Sequence, residues 1–156
     1  MKYKNIFLVV HDIDISKNFY KKILGLHVVL DLKSHIVLKG GICLQSYETW
    51  KDMIHKDDQD IVFPSHNQEL YFEEDDIDFF IKKLNEYNVT LIHPLKESRW
   101  GQRVVRFYDP DGHIIEVGES LRKVAKRFLS QGLSREEIAK RMDMPLDCIK
   151  EMINKA

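Results

Sequence analysis

The chain has 156 residues, 44% hydrophobic and 31% charged, which supplies one ordinary core and an appendage but not two full domains. Its formal net charge of −1 argues against nucleic acid or an anionic membrane as partner of the whole molecule. The charge is uneven, however: from Ser120 onward there are nine basic and five acidic residues, so that segment is read separately. Cys43 and Cys148 lie far apart without a CxxC partner, which supports neither a disulfide framework nor a thiolate zinc site.

The first apolar run, Ile6 to Val10, stops at His11-Asp12. It is too short for a secretory segment or a bilayer span, so a cytoplasmic location and no membrane partner are expected. Then "VVHDIDISKNFYKKILGLHVV" and "YFEEDDIDFFIKKLNEYNVTL" read as two versions of one unit. Each has an apolar strand, an Asp-Ile-Asp entry, an amphipathic helix, a turn and another strand. Phe19, Tyr20, Ile23 and Leu24 recur at helical spacing in the first, with Gly25 placed to end the helix. Ile77, Phe80, Ile81 and Leu84 do the same in the second, with Asp76 as N-cap. The strands expected next are His27 to Leu30 and Val89 to Ile92.

Two hairpins follow the helices. Ser34 to Leu38 and Ile42 to Tyr47 flank Lys39-Gly40-Gly41; Gln102 to Tyr108 and His113 to Gly118 flank Asp109-Pro110-Asp111-Gly112. The pattern is βαβββ written twice, an α+β class. The repeat units cover about 1–47 and 68–119 within a domain of 1–119. Glu48 to Gln68 between them reads as a short helix or irregular linker. Its run Asp57-Asp58-Gln59-Asp60 is taken as a solvated surface, because the acids are adjacent rather than convergent.

Aligning the halves on their Asp-Ile-Asp entries sets Asn5 opposite Glu69, and aligning the hairpins on Gly41 and Gly112 sets Gln45 opposite Glu116. Strand alternation puts Asn5, Phe7 and Val9 on one face, and likewise Glu69, Tyr71 and Glu73, and Cys43, Gln45 and Tyr47. "HDIDISKNFYKKILGL" and "WGQRVVRFYDPDGHIIEV" resemble the two signatures of the vicinal oxygen chelate superfamily, which includes glyoxalase I, bleomycin resistance proteins, fosfomycin resistance enzymes and extradiol dioxygenases. The resemblance implies paired βαβββ units forming a curved mixed-sheet cup, usually completed in a homodimer. It also implies a divalent metal, where one is used, at Asn5, Gln45, Glu69 and Glu116. Of these only Glu116 matches the glyoxalase pattern. The set of amide and carboxylate oxygens suits magnesium or manganese better than nickel or zinc, and leaves a metal-free cup as the other reading.

By the same resemblance Glu116 is the candidate catalytic base, acting α to a carbonyl in a lyase or isomerase reaction. The alternative is a resistance-type protein that sequesters a small molecule without turning it over. Two converging carboxylates would repel, so one of Glu69 and Glu116 would have to take up a proton or find a partner, with Arg103 a candidate. Trp100 offers an aromatic wall, Arg99 or Arg103 an anion contact, and Tyr71 and Phe7 line the strand faces. Asp109 and Asp111 are assigned to the turn.

Residues 120–156 read as a tail of three short helices, with Gly132 ending the first, a Ser134–Glu137 capping box opening the second and Pro145 starting the third. The Gly-Leu-Ser-Arg-Glu-Glu-Ile-Ala spacing resembles a helix-turn-helix, which would make the protein a ligand-responsive regulator. The third helix balances Lys150 and Lys155 with Asp147 and Glu151, so packing against the core or a dimer partner is favoured over nucleic acid.

Overall fold

Asp12 leaves the first strand in an extended conformation and its carboxylate accepts the Ile15 N–H at 2.9 Å, which starts the first helix. Gly25, at φ 68°, ends it. These caps fix the opening unit of the computed structural model, which describes residues 1–154; Lys155 lies outside them. The elements of the first repeat are β1 (Ile6–Val10), α1 (Ile13–Leu24), β2 (Val28–Asp31), β3 (His35–Leu38) and β4 (Ile42–Ser46). The sheet order is β1-β4-β3-β2, with β1 parallel to β4 and the other pairs antiparallel. Leu8, Val10, Ile36, Leu38 and Leu44 bury the sheet's helix side, and Tyr20 and Ile23 bury the facing side of α1. Next come α2 (Tyr47–Ile54) and a short 3₁₀ turn, Asp58–Asp60.

The second repeat copies this order. It comprises β5 (Glu69–Glu74), α3 (Ile77–Glu86), β6 (Leu91–Glu97), β7 (Arg103–Tyr108) and β8 (Ile114–Glu119), with sheet order β5-β8-β7-β6. Asp76 caps α3 by accepting the Phe79 N–H at 2.9 Å. Ile77, Phe80 and Leu84 are buried, as are Val105, Phe107, Ile115 and Val117 of the sheet. The α+β architecture of two βαβββ repeats with a helical tail therefore stands as read from the sequence.

Several boundaries move for local reasons. The strand expected at Val89 to Ile92 is β6, Leu91–Glu97, because the Val89 N–H bonds back to the Leu84 carbonyl at 3.0 Å and Asn88 turns to φ 50°. Tyr47 starts α2 rather than ending β4, since the Thr49 hydroxyl donates to the Ser46 carbonyl at 3.1 Å and closes a helical turn there. β2 begins one residue later than expected, at Val28.

The described residues divide into two compact units, 1–69 with 108–114, and 70–107 with 115–154. The turn 108–114 is bonded into the first. Asp109 accepts from the Tyr20 hydroxyl at 2.8 Å, from the Asp111 and His113 amides, and from His113 Nδ1. Burial, joined by the nearby Asp109 charge, holds the Tyr20 phenol well above its ordinary range, so it remains a donor. Asp111 accepts from the His11 amide, His11 Nδ1 and Ser16 Oγ. Both aspartates act in the turn, and Gly112 (φ 85°) leaves room for Pro64 where a Cβ would press on it.

The second unit ends in α4 (Leu121–Ser130), α5 (Arg135–Met142) and α6 (Leu146–Asn154). The Ser134–Glu137 capping box is formed, Gly132 follows α4 at φ 92°, and α6 begins directly after Pro145. Val124, Phe128, Ile138, Met142 and Ile149 share one apolar cluster, so the tail carries its own small core. Among the described residues, the exposed side of α6 shows Asp147, Lys150, Glu151 and Asn154, a near-neutral set with no basic stripe. Among the described residues no helix is long and apolar enough to cross a membrane.

Candidate functional site

In the first repeat, strand parity puts Phe7, Cys43 and Gln45 on the side of the sheet away from α1. Gln45 is almost wholly buried and lies opposite His35 across the β3–β4 ladder. His35 Nδ1 donates to Gln45 Oε1 at 2.8 Å, and Gln45 Nε2 donates to the Thr49 hydroxyl of α2. The Phe7 ring lies 5.3 Å from His35 and 6.2 Å from Trp50, making a half-exposed aromatic rim over this polar centre. Asn5 is not brought to it. The parallel register pairs Val9, not Asn5, with Gln45, and four residues along a strand amount to about 13 Å.

In the second repeat, Glu116 of β8 is buried and ion-paired to the Arg106 guanidinium of β7. Arg106 also donates to His93 Nε2 at 3.3 Å, and His93 Nδ1 donates to the Pro94 carbonyl. The cationic partner foreseen for Glu116 is thus Arg106, and Arg103 serves elsewhere. Three residues apart on one strand, the two arginines face opposite sides of the sheet. Arg103 lies on the α3 side, bonded to Asp78 at 3.0 Å and to the buried Glu119 at 3.2 Å. Glu69 opens β5 and is exposed.

Trp100 and Tyr71 meet through a third residue absent from the expected site. Gln102, 4% exposed, accepts the Trp100 indole N–H at 3.1 Å and donates to the Tyr71 hydroxyl at 2.8 Å and to the Glu119 carbonyl. The Tyr71 hydroxyl donates to Glu73. Trp100 is 38% exposed and Tyr71 48%, so each is partly open to solvent while its polar atom is bonded to Gln102. Arg99 is exposed, with Asp143 at 3.7 Å. The 57–60 run is exposed too, Asp58 being held by Lys51 and Tyr47.

The two polar centres are equivalent. His35 and Arg106 each stand six residues before the aligned glycine, and Gln45 and Glu116 four residues after it. In both repeats a nitrogen donor from the penultimate strand engages the oxygen that the resemblance assigns to a metal. A guanidinium at Glu116 occupies the space a cation would take and repels it, while an imidazole N–H consumes the Gln45 oxygen. With Asn5 four residues out of register, this donor set does not fit a divalent ion. Among the described residues no three His, Cys, Asp or Glu side chains are grouped to hold one.

His35 and Arg106 were both legible. Gly40 lies five residues from His35 and from Gln45, and Asp111 five residues from Arg106 and from Glu116. Folding each hairpin about its turn pairs them.

A family model for a glyoxalase-like domain matches residues 3–122. The solved structure of a protein of unknown function from Agrobacterium tumefaciens str. C58 is 40% identical, with a TM-score of 0.71, and the match covers 78% of this chain and 95% of that one. The uncharacterized protein YraH of Bacillus subtilis (strain 168) is 29% identical over 128 residues, 78% of this chain and all of the relative. A glyoxalase/bleomycin resistance protein/dioxygenase family enzyme from Burkholderia phytofirmans PsJN shares the fold, with a TM-score of 0.67 at 18% identity, over 78% of this chain and 100% of that one. The family model stops at 122, so α5, α6 and nearly all of α4 lie beyond it.

Proposed function

The chain belongs to the glyoxalase-like domain family, and from that premise we propose that it is a small-molecule-binding protein of the glyoxalase and bleomycin-resistance type, acting as a homodimer without a resident divalent cation. The observation that carries this reading is the equivalent pair of polar centres, Gln45 held by His35 and Glu116 held by Arg106. A metal-dependent lyase would need those oxygens for the ion and the carboxylate for proton transfer. Here both are committed to nitrogen donors.

What the faces offer instead is recognition. The Phe7 and Trp50 rings border one polar centre; the second sheet carries Tyr71, Trp100 and the partly exposed Arg106. Flat apolar surface on the same sheet as a guanidinium suits a small molecule with an aromatic or planar portion and an anionic group. Arg106 would contribute N–H donors to that anion, and Glu116 would hold the guanidinium in place.

Thermal unfolding with Mg²⁺, Mn²⁺, Ni²⁺ and Zn²⁺ tests the metal-free part. None of the four is expected to raise the Tm of the wild type. A cation that stabilises wild type but not Glu116→Gln would overturn the reading and restore the metalloenzyme. A panel of aromatic carboxylates, followed by quenching of Trp100 in a Trp50→Phe background, tests recognition. Saturable quenching, lost in Arg106→Ala, is expected.

A further inference from the structure

Trp100 sits in the loop 98–101 between β6 and β7, and helices of the tail hold that loop at three points. Arg127 of α4 donates to the Gly101 carbonyl at 2.5 Å and to Glu119 at 3.0 Å, with Glu97 at 3.6 Å. The Phe128 ring lies against Gly101 where a Cβ would overlap it, which, together with φ 88°, restricts the position to glycine. Arg141 of α5 donates to the Arg99 carbonyl and pairs with Glu97 at 3.5 Å. Both guanidiniums also stack near the Phe128 ring, at 5.1 and 5.9 Å.

We propose that the C-terminal helices are a brace for the ligand face, in which Arg127, with Arg141, is a positioning residue that fixes the 98–101 loop and through it the Trp100 ring. The inference rests on the reading of Trp100 as ligand wall, but the brace itself is a property of the unliganded protein. The connection between the two strands is only five residues, 98–102, and has little of its own to hold a large ring. Within it the Gly101 amide bonds to the Ser98 carbonyl and the Ser98 amide to the Gln102 carbonyl, each at 2.8 Å, and the tail arginines take the Arg99 and Gly101 carbonyls. From Trp100 the chain of bonds continues through Gln102 to Tyr71, so a shift of the loop moves both aromatic residues of this face. The family model ends at 122, so the brace comes from helices the family domain does not supply.

The test uses the full chain with Trp50→Phe, leaving Trp100 as its one tryptophan. Acrylamide quenching of Trp100 is compared across Arg127→Ala, Arg127→Lys, Arg141→Ala and the exposed control Arg135→Ala. The expected result is a roughly twofold rise in the quenching constant and a red-shifted emission for Arg127→Ala, a smaller rise for Arg141→Ala, partial recovery for Arg127→Lys and no change for Arg135→Ala. Far-UV circular dichroism identifies any variant that has lost its helices, and Arg141→Ala and Arg127→Lys then carry the comparison. Unchanged Trp100 quenching in folded Arg127→Ala and Arg141→Ala overturns the brace. If the quenching rises as expected but no aromatic carboxylate affects Trp100 in the parent protein, the ligand reading fails while the brace holds.

Discussion

Glu116 shows how far a single residue's role depends on its neighbour across a hairpin. Its carboxylate is buried and its counter-charge, Arg106, is about a third exposed, so the pair lies between the buried and surface limits. Removing Arg106 leaves an anion in a protected site, and Arg106→Ala is expected to cost about 2 kcal/mol in urea unfolding at neutral pH. The same change in a Glu116→Gln background should cost about 1 kcal/mol less, the difference being the coupling energy. Additive costs would mean that the two side chains do not support one another. The faces were legible because they follow from alternation along each strand, which set Phe7 with Asn5, Gln45 with Cys43 and Tyr71 with Glu69. What alternation omits is register. It assigns a face but not a place along the strand, so it could not show that Asn5 and Gln45, which the family resemblance groups, are separated by four residues in the ladder. Arg103 is a candidate partner in the sequence, but its parity on β7 sends it to the helix side, and Arg106 takes that place.

At the scale of elements, local chemistry wrote most of the fold plainly. Asp12 and Asp76 cap their helices, Gly25 ends one, and the Ser134–Glu137 box opens another. The displaced strand at Val89 was hidden because its β-branched residues read as extended, whereas the helix before it claims the Val89 amide. The docking of α4 was hidden for another reason: Glu119 looks like a strand-end surface acid, yet it is 3% exposed between Arg103 and Arg127. Burial pushes its carboxyl up, but the bonds from Arg103 and Arg127 outweigh that and hold it below its ordinary value of 4.5. A depressed folded-state value means that Glu119 stabilises the protein above pH 4.5, and that this stabilisation fades as pH falls through the lower folded value. Wild type should therefore exceed Glu119→Gln in Tm at pH 7, with the gap constant down to about pH 5 and closing below pH 4.5. Taking the difference between the two proteins removes the contributions of Asp58, Asp75 and Glu137, whose carboxyls are also held low. A gap that stays constant to pH 3 would show that the charge of Glu119 does not hold the tail.

For the whole molecule, the homodimer that the family resemblance implies requires a surface able to form it. β2 is one of the two edge strands of the first sheet, with β1 at the other side, and an edge strand exposes backbone donors and acceptors that natural proteins ordinarily protect with charge or bulges. Here Val28, Val29 and Leu30 are exposed, followed by exposed Leu32, with Val29 at 68%. Asp31 is the one charge within the strand, and Lys17 lies 3.5 Å from it. Such an apolar edge invites association, and a second copy of this chain is the partner the resemblance supplies. Light scattering across a concentration series should give twice the 18.5 kDa of one chain, falling to a single chain on dilution. Val29→Lys with Leu30→Lys should shift that equilibrium to monomer while circular dichroism stays unchanged, since neither side chain belongs to the buried core. A wild type that is monomeric throughout the series would remove the dimer from the proposed function. A dimer indifferent to both lysines would keep the dimer but place its interface away from β2, leaving the exposed edge to be explained by another contact.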